Sequence, residues 1–175
     1  MKRIEICSES KKNIMLPFYV LLISFLLSSG VIYLLKKSIQ WSLAGRIALS
    51  IMLGFTALGH FMFTDGMCKM LPEFIPFKAI IIYFTGLIEI AAGIAIHIPK
   101  FRKLTGMLLI IFFLMILPAN IKASLEGLNY QTGNYDGPGL SYLFFRIPFQ
   151  ILLMGWTYWF VIKGKSYRNR SFGEA

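Results

Sequence analysis

The chain has 175 residues, of which 57% are hydrophobic and only 15% are charged, and its formal net charge is +10. Soluble domains of this size carry about a quarter charged residues, so the composition indicates a membrane protein and excludes an ordinary soluble domain. The basic residues lie at the ends of apolar segments, which favours contact with the lipid bilayer and its anionic headgroups over binding of nucleic acid. Cys7 and Cys68 belong to no CxxC pair, so neither a dithiol redox centre nor a zinc framework is expected.

Five apolar segments follow one another along the chain, and each is long enough to cross a bilayer. The first covers residues 14–35 and comes after a polar, basic N-terminal tail. Its apolar stretch resumes after Ser28-Ser29-Gly30, so we interpret it as an uncleaved helix rather than a signal peptide. The other four segments cover residues 41–63, 79–98, 104–121 and 140–162. The sequence therefore predicts an all-α integral membrane protein.

Charge and turn chemistry indicate how the segments are connected and oriented. Residues 64–78 mix polar and apolar side chains, which favours a connector in the membrane interface, and residues 122–139 form a loop rich in Gly and Asn. Arg46, near the start of the second segment, is expected to extend to the headgroups. For the last four segments, the side that holds the C-terminal tail collects most Lys and Arg residues, so the C-terminus should be cytoplasmic. The basic N-terminal tail argues the other way for the first helix.

An acidic residue, Glu89, lies in the middle of the third segment. Helical offsets of three and four residues place Thr85, Gly86, Ala92 and Gly93 beside it. Because these residues are small, another helix can come close, and the acid then faces protein rather than lipid. An ionisable group at this depth needs a partner and suggests a functional role. The alternative is an ion pair that only fixes helix packing.

Four more polar residues are expected in the same half of the membrane as Glu89. Glu89 and Gln150 lie about 15 Å from the end of the bundle that carries the two long connectors, with Arg146 one turn shallower and His60 and Asn120 near that surface. Arg146 is the natural partner of Glu89, because pairing offsets much of the roughly 2.5–3.5 kcal/mol that a lone charge costs in the hydrocarbon. The guanidinium can place two donors on the carboxylate, which leaves another lone pair for Gln150.

These residues form a candidate ligand-binding site, made of His60, Glu89, Asn120, Arg146 and Gln150. His60 can change its charge near neutral pH and could donate a proton or a hydrogen bond to a ligand carbonyl. The alternative is an interfacial histidine that bonds to Thr56 or Thr64. The spacing of His60, Asp65 and Cys68 matches no established metal site, so no metal is expected.

Several short motifs in a fixed order resemble those of a known family. They are Gly59-His60-Phe61, Asp65-Gly66, Pro72 with Pro76, Thr85-Gly86-Leu87-Ile88-Glu89-Ile90, Pro118-Ala119-Asn120-Ile121, and Arg146-Ile147-Pro148-Phe149-Gln150 with Trp156. Over about residues 41–162 the chain resembles the DoxX-like family of small bacterial integral membrane proteins, which are built on four helices. The resemblance implies a four-helix DoxX-like bundle at residues 39–163 of a bacterial inner-membrane protein. Residues 1–38 would add a tail and one extra transmembrane helix, and residues 164–175 a basic cytoplasmic tail.

The resemblance also implies an association with redox chemistry. The family takes its name from subunits of a membrane thiosulfate:quinone oxidoreductase, and other members are linked to membrane redox complexes. Related proteins that pass electrons to thiols carry cysteine pairs, which this chain lacks. A quinone headgroup could bind at the polar residues, with a soluble or membrane redox partner protein supplying electrons, because the chain has no intrinsic cofactor of its own.

Two other functions stay open. In the first, the protein is a non-catalytic membrane scaffold or anchor in which the predicted Glu89–Arg146 pair locks the bundle. In the second, it is a small transporter, which five segments without a paired inverted repeat make less attractive.

Overall fold

Helices account for most of the residues that the computed structural model describes, which are 15–38 and 40–164. Six α-helices lie within these ranges: α1 Leu16–Lys36, α2 Trp41–Met62, α3 Thr64–Met70, α4 Lys78–Ala95, α5 Arg102–Leu125 and α6 Leu140–Trp156. A π-helix, Thr157–Ile162, continues α6 without a break. In the described ranges there is no β-strand, only an isolated antiparallel bridge between Asn129 and Asn134.

Five of the described helices are long and apolar enough to span a membrane: α1, α2, α4, α5, and α6 together with its π-helical end. The prediction of an all-α chain with five such helices is confirmed, and it fits a multi-pass membrane protein whose apolar helices contact lipid. The short helix α3 was not predicted, since it lies inside residues 64–78, which were interpreted only as a connector in the membrane interface. The DoxX-like arrangement of the bundle stays a prediction.

Helix α2 is the central element, because α1 and α4 both pack along it and the π-helix contacts it as well. Its side chains Leu49, Met52 and Leu53 are almost completely buried, together with Leu21 of α1. The hydroxyl of Ser28 on α1 also donates to the carbonyl of Ala44 on α2 at 3.2 Å. The first helix is therefore an integral part of this bundle.

Two glycines allow the last helix to pack closely against its neighbours. A Cβ at Gly45 of α2 would overlap the ring of Phe160, and a Cβ at Gly106 of α5 would lie 2.7 Å from Cγ1 of Ile162. The indole Nε1 of Trp156 donates to the carbonyl of Gly45 at 2.9 Å. These contacts hold the π-helical end of α6 between α2 and α5.

Helix α3 and the loop of residues 126–139 together form a folded structure at one end of the bundle, which we call the loop cap. Nζ of Lys69 donates to the carbonyl of Gly133 at 2.7 Å, and Nζ of Lys122 on α5 donates to the carbonyl of Lys69 at 2.8 Å. A Cβ at Gly66 would collide with the backbone carbonyl of Tyr130, so the close approach of helix and loop requires glycine there. We call the opposite end of the bundle, where α2 begins and α4 ends, the basic end.

Candidate functional site

The acid Glu89 is buried between α4 and α2, and its charged partner is His60. Nε2 of His60 lies 3.6 Å from Oε2 of Glu89. The glutamate is only 4% exposed, and its Oε2 accepts no hydrogen bond. Gly86 and Gly93 of the same face pack against His60 and Ser50 of α2. The prediction that this face meets another helix and that the acid faces protein is therefore confirmed.

The hydrogen bonds around His60 assign its tautomer. Oγ1 of Thr85 lies 3.1 Å from Nδ1 of His60, and the same hydroxyl donates to the carbonyl of Ile82 at 2.7 Å. A hydroxyl has a single hydrogen, so Nδ1 must be the donor towards Thr85. The remaining nitrogen, Nε2, therefore faces the carboxyl group of Glu89.

The geometry of this contact suits a shared proton. A nitrogen lone pair pointed at a buried carboxylate is unfavourable in a low-dielectric site. One proton between Nε2 and Oε2 removes this repulsion, whether it is bonded to the nitrogen or to the oxygen. Both forms have the same total charge, so the pair can exchange this proton without a change in net charge.

His60 also lies next to an exposed aromatic pair. The rings of Phe61 and Tyr83 stack with their centroids 5.8 Å apart, and their residues are 41% and 43% exposed. The side chain of His60 is 15% exposed, against 5% for Glu89. The imidazole thus lies between the buried acid and the outer surface of the helices.

The contact between His60 and Glu89 requires α2 and α4 to be staggered. Counting residues from the helix ends predicted that His60 would lie near the surface, far above Glu89. In the structure His60 lies beside Gly86, well inside α4, where a Cβ would be 3.1 Å from the Cβ of His60. α4 therefore extends past the end of α2, and His60 lies about one helical turn from Glu89 along the axis instead of far above it.

The predicted ion pair between Glu89 and Arg146 is wrong. In the described residues the salt bridge of Glu89 is with His60, whereas the guanidinium of Arg146 lies over the ring of Tyr142 at 5.9 Å. The reason is the order of the helices around the bundle, because α4 packs mainly along α2 while α6 packs along α5. Helical spacing predicts which face carries a residue but not which helix faces it.

The other three predicted site residues lie at the interface of α5 and α6 or beside it. Oδ1 of Asn120 accepts a hydrogen bond from the hydroxyl of Tyr142 at 3.1 Å. Nε2 of Gln150 donates to the carbonyl of Phe113, and its Oε1 is buried without a partner. No hydrogen bond or ion pair of the described residues joins this group to His60 or Glu89. The five predicted residues therefore form two separate groups.

Tyr130 of the loop cap joins the second group and was missed in the sequence. Burial raises the pKa of its hydroxyl, the nearby Tyr142 acts in the same direction, and Arg146 acts against them. Its ring also meets Phe63 edge to face at 6.2 Å. The only sequence signal was an aromatic residue within a run of Gly and Asn, which does not reveal that the loop folds back onto the helices.

The thiol of Cys68 on α3 is partly buried and forms no disulfide. Burial raises its pKa, Asp65 adds to this effect, and Lys78 opposes it. The group is therefore a thiol rather than a thiolate at neutral pH, which makes it a poor nucleophile. Cys7 lies outside the described residues.

Comparison with known protein families gives one match. Residues 49–161 match the family described as "Domain of unknown function (DUF8561)". Comparisons with curated proteins and with solved structures give no match. The matched region begins within α2, and α1 precedes it. It contains the His60–Glu89 pair and the second polar group around Asn120 and Gln150.

Proposed function

The chain belongs to the DUF8561 family, and we propose that it is a membrane subunit of an oxidoreductase system that binds a quinone-like ligand at His60 and Glu89. The observation that carries the proposal is the 3.6 Å contact between Nε2 of His60 and the buried Oε2 of Glu89, which has no hydrogen-bond partner. The site is smaller than the sequence predicted, since Asn120, Arg146 and Gln150 belong to the other polar group.

A quinone headgroup suits this site for three reasons. It is a flat ring, which can stack on the exposed rings of Phe61 and Tyr83. Its carbonyl oxygens accept hydrogen bonds, and Nε2 of the partly exposed His60 would supply one by sharing its N–H between Oε2 of Glu89 and the ligand. Its isoprenoid tail is apolar and would remain among the lipid-facing side chains of α2 and α4.

The chemical role of the pair would be proton transfer. Reduction of a quinone to a quinol takes two electrons and two protons. The pair would donate its one shared proton to a carbonyl oxygen through Nε2 of His60, a redox partner protein would supply both electrons, and water would supply the second proton and then restore the proton of the pair. The DoxX-like resemblance supports the same association and a bacterial inner membrane. The excess of Lys and Arg on the C-terminal side of the last four segments supports a cytoplasmic C-terminus.

The alternative function is a membrane scaffold. It is favoured by a second polar contact along the same two helices, in which Ser50 of α2 donates to the carbonyl of Gly93 at 2.7 Å. If polar contacts tie α2 to α4 at two places, the His60–Glu89 contact can serve packing alone.

Glu89→Gln separates the two functions. The amide can still donate to Nε2 of His60, so the helices remain packed, but the pair no longer shares a transferable proton. We expect the folded protein to persist in detergent and its affinity for decylubiquinone to fall about ten-fold or more, as when a hydrogen bond to a charged group is lost. Binding is measured by quenching of intrinsic fluorescence, together with mass spectrometry of quinones that co-purify.

Tyr142→Phe is the matched control, because it removes one hydroxyl from the other polar group. This variant should bind decylubiquinone like the parent protein. Unchanged binding by Glu89→Gln would refute the proposed ligand site. Loss of folded Glu89→Gln protein would favour the scaffold.

A further inference from the structure

The basic end of the bundle buries two arginines. Arg46, in the second turn of α2, is 6% exposed, and Arg102, the first residue of α5, is 8% exposed. Nη1 of Arg46 donates to Oγ of Ser42 at 2.9 Å, but its Nε is buried with no partner. Nε of Arg102 donates to the carbonyl of Ile96 at 3.3 Å. Arg46 is therefore enclosed by protein instead of extending to the surface as predicted.

The positive charges of both arginines act on His97. Burial, followed by the positive charges of Arg46 and Arg102, lowers the pKa of this histidine. Its Nε2 lies 2.9 Å from Oγ of Ser50, whose hydrogen is directed to the carbonyl of Gly93. Nε2 of His97 is thus a hydrogen-bond donor. The basic end therefore combines an imidazole donor with the guanidinium groups of Arg46 and Arg102.

No carboxylate of the described residues compensates this charge. The described residues form two ion pairs, His60–Glu89 and Lys122–Glu126, and both lie away from the basic end. Within residues 15–38 and 40–164, the acids other than Glu89 lie in or next to the loop cap: Asp65, Glu73, Glu126 and Asp136. Exposed lysines add to the positive field of the basic end: Lys36, Lys37, Lys100, Lys103 and Lys163.

Buried cations without a counter-charge are costly, and each guanidinium has five N–H donors of which few are used here. We propose that Arg46 and Arg102 form a binding site for a phosphate group, carried by a lipid headgroup or by a free phosphate ion. This site is separate from the proposed quinone site, since it lies at the other end of the α2–α4 interface and uses none of its residues.

The chemistry and the depth of the two arginines both fit phosphate. The planar fork of a guanidinium matches two phosphate oxygens, and the unpartnered Nε of Arg46 supplies one side of such a fork. Arg46 lies about 7 Å along the axis from the first residue of α2, which is within reach of lipid phosphates at a helix end. The surrounding lysines attract an anion to this end.

The test follows thermal unfolding of the delipidated full chain in a neutral detergent, while phosphatidylglycerol or inorganic phosphate is titrated in. We expect a saturable rise of the unfolding midpoint. Arg102→Gln should raise the half-saturating concentration about ten-fold or more, because charge-assisted hydrogen bonds are lost. Lys103→Gln is the matched control: this adjacent, exposed residue contributes only to the long-range positive field, which solvent screens, so the same loss of charge should raise the half-saturating concentration by no more than about two-fold.

The two titrations distinguish the source of the phosphate. Stabilisation by phosphatidylglycerol alone assigns a lipid headgroup, whereas stabilisation by both, with the same dependence on Arg102, assigns any accessible phosphate. The proposed site would be refuted if neither phosphatidylglycerol nor inorganic phosphate raised the unfolding midpoint. It would also be refuted if Arg102→Gln and Lys103→Gln raised the half-saturating concentration equally. If Arg102→Gln does not fold, Arg102→Lys replaces it: the charge is kept but the fork is lost, so weaker binding is still required.

Discussion

The α2–α4 interface contains one histidine towards each end, and the two histidines have different chemical surroundings. His60 faces the carboxyl group of Glu89 at 3.6 Å, whereas His97 faces the hydroxyl of Ser50 at 2.9 Å, with Arg46 and Arg102 close by. The first contact places an acidic group beside a basic one. The second gathers positive charge with no acid among the described residues.

This difference teaches how the same pair of helices can supply two kinds of polar site. At His60 the chain provides both partners, so the site can exchange a proton while its total charge stays constant. At His97 the chain provides only cations and neutral groups, so an anion from outside is needed to balance them. Substitutions at the two ends should therefore differ in their cost and in their response to added anions.

The largest effect is expected at the charged pair. His60→Leu keeps most of the side-chain volume but leaves Glu89 buried without its partner, which should lower the free energy of unfolding by about 3 kcal/mol. Denaturant-induced unfolding in detergent measures the change. Addition of phosphatidylglycerol should not restore the loss, because the missing group is at the other end of the interface.

The double variant His60→Leu with Glu89→Leu tests the reason for this cost. Replacing both members of a buried pair by apolar residues is often close to neutral. The double variant should therefore be more stable than His60→Leu alone. A double variant as unstable as the single one would mean that His60 contributes through packing, and the contrast between the two ends would lose its electrostatic basis.

A smaller effect is expected where the helices touch beside His60. A Cβ at Gly86 would lie 3.1 Å from the Cβ of His60, so Gly86→Ala must push the helices apart and should destabilise the protein by about 1–2 kcal/mol. Gly54→Ala on α2 is the control, because a Cβ there meets nothing within 4 Å. Alanine is the better helix former, so Gly54→Ala should stabilise by up to about 1 kcal/mol. Thermal unfolding of the two variants should therefore shift in opposite directions.

Hydropathy was sufficient to predict the five long helices, because length and apolarity are local properties of each segment. Two elements were missed for physical reasons. Helix α3 is too short and too mixed in composition to show a hydrophobic period. The π-helix at Thr157–Ile162 depends on contacts with glycines of two other helices, which no local pattern contains.

The sequence predicted that Glu89 needs a partner, but it did not predict which one. Arg146 was the strongest candidate by charge, yet the choice depends on which helices are neighbours and how far they are staggered. Both properties follow from the packing of the whole bundle. The helix face of small residues around Gly86 and Gly93 was predictable from the sequence, since close helix contacts require small residues at helical spacing.

The smallest effect is expected at the second histidine. Ser50→Ala removes the acceptor for Nε2 of His97 and the donor to the carbonyl of Gly93, which should cost about 1 kcal/mol. Ser29→Ala on α1 is the control: its hydroxyl is buried without a partner, so its removal should be neutral or slightly stabilising.

Combining Ser50→Ala with His60→Leu tests whether the two ends are independent. The residues lie ten positions apart on α2, or about 15 Å along the helix axis. Their effects on the free energy of unfolding should add to within about 0.5 kcal/mol, as is usual for sites without shared partners. A larger deviation would show that both histidines belong to one cooperative network along α2 and α4. In that case a change at the His60–Glu89 pair would also alter the environment of Arg46, and the two ends could no longer be treated as separate sites.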